Sequence, residues 1–292
     1  MPELPEVETI RRGLVKKILN KKIVHVQVYH HTSVGNVKTK FVQALTGNSI
    51  AAIERRGKLM VFQLKKGTKS VLAHLKMTGQ LIYEREIKKR VELVAGGHKL
   101  SESDIENLPN KHTRVALVFS DGGQLFFNDM RIFGYMKLAD APVVAKVLQN
   151  FGPEPFSKAF TFFYFSLLFI KRSRALVKAL LLNQELVAGL GNIYADEVCF
   201  CAGVRPMRRA GDVTKAEQKK LFDCIPKILK EALFHRGTTF RNFLDSSGRK
   251  GNYTDFLRVY DRDGEPCKKC GTIIKKTRVA GRGTHFCPTC QK

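Results

Sequence analysis

Acidic residues are scarce in this chain of 292 residues: 26 Asp and Glu stand against 51 Lys and Arg, leaving a formal charge of +25. A deficit that large points to a polyanionic partner, most simply nucleic acid, with a basic membrane-surface protein as the competing reading. Long apolar runs are also missing. The longest, 159–170 (AFTFFYFSLLFI), is twelve residues, where a bilayer span needs about twenty. Residues 1–20 are charged and helical in period rather than apolar, so no secretory pattern opens the chain and an intracellular protein is expected. Internal repeats and low-complexity tracts are absent. The eight histidines form neither an HExxH pair nor a triad-like arrangement, which leaves metalloprotease and serine-hydrolase chemistry without support.

What is present is ordered along the chain. Val7, Ile10, Leu14 and Ile18 recur at helical spacing, so 3–19 reads as one amphipathic helix with Arg11, Arg12, Lys16 and Lys17 on its wet face. From Ile23 the period falls to two. Val24, Val26 and Val28 alternate with polar positions, and further strands are expected at 49–55, 59–64, 71–74 and 80–83. Val115, Leu117 and Phe119 alternate before Ser120-Asp121-Gly122-Gly123 turns the chain into 125–128, a hairpin signal. The charged stretch 84–111 has little periodicity and reads as a long loop with a short helix at most. Asp140, Pro142, Gly152, Pro153 and Pro155 mark 139–157 as a linker, after which 171–182, 193–202 and 215–235 show helical spacing. The expected class is α+β: an N-terminal helix and antiparallel β-sandwich over 1–138, the linker 139–157, a helical domain over 158–255 and a small cysteine module over 256–292.

Four of the seven cysteines fall in that last module. Cys267 and Cys270, then sixteen residues, then Cys287 and Cys290 have the spacing of a four-thiolate zinc site, structural because no position is left for water. In a reducing compartment the spacing favours metal over disulfides; Cys199, Cys201 and Cys224 are scattered. Between the knuckles Lys275, Lys276, Arg278 and Arg282 make a basic hairpin suited to a phosphate backbone, or simply a solvated charged loop. Gly189-Leu190-Gly191-Asn192 lacks the third glycine and the preceding strand of a dinucleotide site. It fits a tight turn whose following helix offers unpaired amides to an anion, or one that only closes a helix hairpin. Met77 in HLKMTG (74–79) and Arg131 and Phe133 in DMRIFG (129–134) set apolar side chains beside a cation, as a base-stack wedge does and as a protein core does too.

The first eight residues, MPELPEVE, admit two readings. Prolines in the first turn and acids at the positive end of the dipole make an ordinary helix start. If Met1 is removed, however, Pro2 becomes a secondary α-amine titrating near ~8, a nucleophile able to form an iminium on a carbonyl-like carbon, with Glu3 and Glu6 beside it for proton transfer.

These motifs in this order resemble the formamidopyrimidine-DNA glycosylase (Fpg, or MutM) family. The likeness runs from PELPEVE through RRGK, HLKMTG, DMRIFG, FGPEP, LVAGLGNIYADE and VYDRDGEPC to AGRGTHFCPTCQ, nearly the whole chain. It implies a helix-two-turn-helix (H2TH) module in the helical domain and a C-terminal zinc ribbon with one structural Zn2+ on Cys267, Cys270, Cys287 and Cys290. It implies a bifunctional glycosylase and abasic-site lyase that excises oxidised purines such as 8-oxoguanine and formamidopyrimidines from duplex DNA, then cuts the strand by β,δ-elimination. Carried over by position, Pro2 is the nucleophile, Glu3 the proton donor, Glu6 its support, Lys58 the lysine of β-elimination and Arg282 the ribbon arginine on the phosphates. Met77, Arg131 and Phe133 fill the gap left by the extruded base, and His74, His112, Arg174 and Asn192 match DNA-contacting positions. The loop 246–253 is similar to the one that closes over that base. The partner is damaged double-stranded DNA, with no membrane, a monomer, and a cytoplasmic, nucleoid-associated, bacterial-type setting. A non-catalytic zinc-ribbon DNA-binding protein and a pyrimidine-directed enzyme of the sister endonuclease VIII group are the rivals.

Overall fold

A computed structural model describes residues 1–35, 37–87, 90–91, 107–238 and 252–292. The expected long loop 84–111 falls for the most part outside the described residues, and so does the loop 246–253 except for its last two. Two compact units emerge, 1–148 with 235–254, and 149–234 with 255–292.

The first unit begins with α1 (Leu4–Ile18), whose stripe Val7, Ile10, Leu14 and Ile18 is at most 1 % exposed. The helical period in the sequence is therefore the face it buries. Short α2 (Lys38–Leu45) seals the core with Phe41 and Leu45. Two antiparallel four-stranded sheets follow. One has the order β1 (Ile23–Val28), β8 (Thr113–Phe119), β9 (Gln124–Asp129), β5 (Gly79–Glu84). The other has β10 (Tyr135–Asp140), β4 (Lys69–His74), β3 (Leu59–Leu64), β2 (Ile50–Arg56). Their inner faces share one core with α1: Val26, Val115, Leu117 and Phe127 from the first sheet meet Ile53, Met60, Phe62 and Val71 from the second. That alternation is what period-two strands require of a sandwich. A two-residue ladder joins β6 (Glu86–Ile87) to β7 (Arg90–Val91).

The second unit contains α4 (Phe162–Lys171), α5 (Val177–Leu182), α6 (Asn192–Ala202) and α7 (Lys215–Phe234), then β11 (Lys275–Val279) and β12 (Arg282–Phe286) as a hairpin. Helix α3 (Ala141–Gln149) ends at the division between the units. The expected helix 171–182 is corrected: helix occupies 162–171 and 177–182. Thr161 caps α4 by accepting from the Tyr164 amide at 3.1 Å, and the aromatic run packs inward through Phe165, whose ring meets those of Phe160, Phe169 and Phe222. The linker region 139–157 likewise holds the end of β10 and all of α3. The scattered cysteines are not all solitary, since Cys201 on α6 and Cys224 on α7 form a disulfide with Cα atoms 6.0 Å apart. The chain is thus α+β: helix and β-sandwich, then a helical bundle with a ribbon. Among the described residues no helix is long and apolar enough to cross a membrane.

Candidate active site

The start of α1 is unlike a solvated helix end. Pro2 is buried, and Glu3 and Glu6 are 2 % and 4 % exposed. Glu3, the N-cap, donates its backbone N–H to Glu6 Oε2 at 2.8 Å, half of a capping box. The other carboxylate oxygen, Glu6 Oε1, accepts from the amide of Thr238 at 2.8 Å and from its hydroxyl at 3.1 Å. Gly237, at φ +83°, allows this approach: a Cβ there would lie 2.5 Å from Glu6 Oε1. Met1 stands ahead of Pro2 and is half-exposed, and with it attached the Pro2 nitrogen is a tertiary amide.

One turn further along, Glu8 ties α1 to the turn that carries Lys58. Its Oε2 accepts from Arg55 Nε and Arg11 Nε, each at 3.0 Å, and its Oε1 from Arg12 Nε and Arg11 Nη2, each at 2.8 Å. Arg55 in turn donates through Nη1 to the Gly57 carbonyl at 2.9 Å, at the turn between β2 and β3. Gly57 takes φ +58° there, and Lys58 beside it is 4 % exposed. Burial by itself would raise the Glu8 carboxyl, but the hydrogen bonds from Arg11, Arg12 and Arg55 overcome it and hold the group at about 2. A depressed folded-state value gives stability that is full above the unfolded value and is lost as pH falls through about 2. Glu8→Gln is therefore expected to lower stability by about 2–3 kcal/mol above roughly pH 5, with the gap to the parent closing as pH falls toward the folded-state value. Denaturant melts at stepped pH check this; a gap that does not change with pH would remove the charge argument.

His74, whose strand residue pairs with Leu59 next to Lys58, is held neutral. Burial, then the charges of Lys76 and Lys58, push its imidazole down to about 3, and its Nδ1 accepts from the Lys76 amide at 2.9 Å.

Met77, Arg131 and Phe133 lie on two loops leaving the paired ends of β5 and β9, where Gly79 faces Asp129. All three are exposed, Phe133 to 55 %. The carboxylate of Asp129 holds both loops at once: Oδ1 accepts from the Thr78 hydroxyl and from the Arg131 amide at 3.2 Å, and Oδ2 from the Gly134 amide at 2.6 Å. The Arg131 guanidinium sits 4.6 Å from the centroid of the Phe133 ring. Apolar side chains kept in water on a pinned backbone are not core. His112 is half-buried just before β8, its carbonyl accepting from the Asp129 amide at 2.9 Å.

In the second unit the Gly189–Asn192 turn precedes α6, with Gly189 at φ +104° and the Gln184 side chain spanning it by accepting from the Gly189 amide at 2.9 Å and donating to the Leu190 carbonyl at 2.7 Å. Asn192 opens α6 and donates through Nδ2 to the Gly283 carbonyl at 3.0 Å. The fully buried pair Lys178–Asp196, 2.6 Å apart, holds the same strand: Lys178 Nζ donates to Gly283 O at 3.0 Å and Thr284 Oγ1 at 2.8 Å, and Asp196 Oδ2 accepts from the His285 amide at 2.9 Å. Arg282 is thereby presented, exposed, on a strand whose next three residues are fastened to helices. The hairpin turns at Ala280 and Gly281, both at positive φ as a two-residue turn with the strands' own twist demands. Arg174 is exposed on the segment between α4 and α5.

The four ribbon sulfurs lie within 4.8 Å of one another, with Cys267 to Cys290 at 3.9 Å and Cys270 to Cys287 at 3.5 Å. Thiolates at ~2.3 Å from one tetrahedral Zn2+ stand ~3.8 Å apart, so the donor set fits. Amides of Lys269 and Cys290 donate to the sulfurs of Cys267 and Cys287, each at 3.4 Å. The zinc is structural.

Pro2, Glu3, Glu6 and Lys58 thus share α1 and the strands packed on it, and Asn192, Arg282 and the four cysteines share one braced module. Sequence reading missed Glu8, Asp129 and the Lys178–Asp196 pair. Asp129 and Asp196 lie inside quoted motifs, but nothing in a lone aspartate's sequence neighbours announces that it will be buried.

An N-terminal helix on a β-sandwich, a helical module and a four-cysteine ribbon follow one another along the chain. Three family profiles match in that order: the formamidopyrimidine-DNA glycosylase N-terminal domain over 1–136, its H2TH domain over 151–243, and the zinc finger found in FPG and IleRS over 264–292. The chain belongs to the formamidopyrimidine-DNA glycosylase family. It is 40 % identical to the formamidopyrimidine-DNA glycosylase of Desulfitobacterium hafniense, covering 100 % of both chains. Among solved structures it resembles Lactococcus lactis Fpg (MutM) in complex with DNA containing N7-benzyl-Fapy-dG, and MutM in complex with DNA containing carbocyclic 8-oxo-G. Each has a TM-score of 0.85, 34 % identity and 100 % coverage of both chains.

Proposed function

We propose that this chain excises oxidised purines, 8-oxoguanine and formamidopyrimidines, from duplex DNA and cuts the strand by β,δ-elimination, acting in base excision repair. The observation that carries the site assignment is the burial of Glu3 and Glu6 beside Pro2. Acids that serve only the helix dipole work in water, whereas carboxylates removed from water next to an amine are placed for proton transfer.

The chemistry follows from the residues. A base inside a duplex hides its sugar carbon C1′, so the nucleotide leaves the stack at a cost of a few kcal/mol. Met77 and Phe133 enter the gap and Arg131 reads the base left behind, offsetting part of that cost. The Pro2 amine, freed of Met1, attacks C1′; the damaged base departs, and Glu3 gives the proton that lets the sugar ring open. The new C1′–nitrogen iminium acidifies the adjacent sugar proton. Lys58 serves the first elimination and Arg282 holds the phosphates through the second. Glu6 fixes Glu3, His74 and His112 support the DNA-facing turns, and Arg174 and Asn192 contact the backbone. The division 1–138, 139–157, 158–255 and 256–292 is the working one. A monomer acting in a bacterial-type cytoplasm at the nucleoid, with no membrane role, completes the reading.

The deciding experiment incubates processed protein with duplex DNA carrying 8-oxoguanine or thymine glycol, with and without borohydride. Base release and a trapped covalent adduct on the 8-oxoguanine strand are expected. Neither product on any substrate leaves only a DNA-binding protein, and preference for thymine glycol moves the assignment to oxidised pyrimidines.

A further inference from the structure

His285 is 3 % exposed, and neither of its ring nitrogens makes a hydrogen bond among the described residues. A buried imidazole without a hydrogen bond is costly, so the charged groups it faces matter. Its Nδ1 lies 3.4 Å from Oδ2 of the fully buried Asp196, and its Nε2 lies 3.3 Å from Oδ1 of Asp263 at the surface. Asp261, two residues earlier, completes a cluster whose ligand atoms all fall within 4.8 Å of one another. Both aspartates are exposed. The Tyr260 ring meets the imidazole edge-on at a centroid distance of 5.1 Å and fixes its plane.

We propose that His285, Asp261 and Asp263 form a second metal site, for a first-row divalent cation, distinct from the four-cysteine zinc site. The arrangement is that of a metal-bound histidine: one ring nitrogen toward the ion, the other toward a carboxylate that sets its tautomer and raises its basicity. Asp196 takes that second position and is itself anchored by Lys178 at 2.6 Å. Two donors 3.3 Å apart, each on a bond of ~2.1 Å, subtend about 100° at the ion, compatible with tetrahedral or octahedral coordination. Imidazole with two carboxylates suits Mn2+, Fe2+, Co2+ or Zn2+, whereas the thiolates two residues away select zinc. The cation displaces Lys276, which now pairs with Asp263 Oδ1 at 3.2 Å with both side chains largely in water. Such an exposed pair is cheaply exchanged. The ion then ties the segment before the first knuckle to β12, three residues beyond Arg282, and stiffens the basic hairpin.

Mn2+ is the probe, because it binds thiolates poorly and leaves the zinc in place. Full-length zinc-loaded protein, free of DNA, is titrated with Mn2+ and followed by electron paramagnetic resonance. One Mn2+ per chain is expected beyond the zinc, with a nitrogen-14 coupling in pulsed spectra from the imidazole. Asp261→Asn with Asp263→Asn is expected to weaken this binding by about tenfold or more while zinc content stays at one per chain. Both substitutions are at exposed positions, so folding is not at stake. No bound Mn2+ up to about 1 mM, binding unchanged in the double variant, or bound Mn2+ without a nitrogen coupling each overturns the site. None of these readouts depends on glycosylase activity.

Discussion

Protein that keeps any residue ahead of Pro2 is expected to form no borohydride-stable adduct with 8-oxoguanine DNA, while the processed form traps it. The α-amine titrates near ~8, so a useful share is unprotonated at neutral pH. An amide nitrogen in the same place has no basicity to offer. A positioned nucleophile is worth effective molarities of about 10⁵–10⁸ M, so base excision should drop by several orders of magnitude rather than a few-fold. Pro2→Gly keeps a terminal amine but loses the ring that orients it, and should give a much weaker adduct, not a complete loss. The comparison also assigns the atom. Among the described residues of this unit Lys58 is the one buried lysine, 4 % exposed. Should the blocked protein still be trapped at full yield, the nucleophile is a lysine, and Glu3 and Glu6 revert to capping.

Removing the zinc should be nearly as damaging, by another route. Structural Zn2+ contributes about 10–16 kcal/mol to small domains of this kind, and the ribbon's own apolar cluster is four buried residues, two of them cysteine ligands: Val259, Cys267, Ile274 and Cys287. Without the ion, or in Cys290→Ser, the hairpin loses its closure and Lys275, Lys276, Arg278 and Arg282 their alignment. For every phosphate that is no longer neutralised, the slope of log affinity against log salt falls by about 0.9. Fluorescence anisotropy at several salt concentrations should show weaker binding and a slope shallower by about two to four of those steps, while the β-sandwich signal in circular dichroism persists. Affinity and slope equal to those of the zinc-loaded protein would put the ribbon outside the DNA interface.

Most of this was readable from the sequence where one physical rule dominates. Val7, Ile10, Leu14 and Ile18 announce α1 because only one helix face can be buried. Two CxxC pairs announce the metal because few other arrangements want four thiols. The motifs fixed the family, and with it the H2TH module. The reading failed where two rules compete. The run 159–170 is apolar on every side, so its period carries no signal, and α4 is recovered only from the packing of Phe165 and Phe169. Helix α2 is short and its period weak. The Cys201–Cys224 disulfide joins different helices, a proximity that spacing does not encode. Asp129 is the most telling miss: adjacent in sequence to the residues it serves, it holds the loops of Met77 and Phe133 together because β5 pairs with β9.

The hydrogen bonds from Thr238 to Glu6 join residues 232 positions apart. They set an order of events during synthesis. A ribosome adding about 5–20 residues per second exposes the N-terminus to aminopeptidase early, yet delivers Thr238 only about 10–50 s after Glu6. Through that interval one oxygen of Glu6 waits for the two hydrogen bonds that Thr238 donates. The start of α1 acquires its last hydrogen bonds only when residue 238 has been made, so a truncated product of an aborted translation keeps Glu6 without the contacts from Thr238.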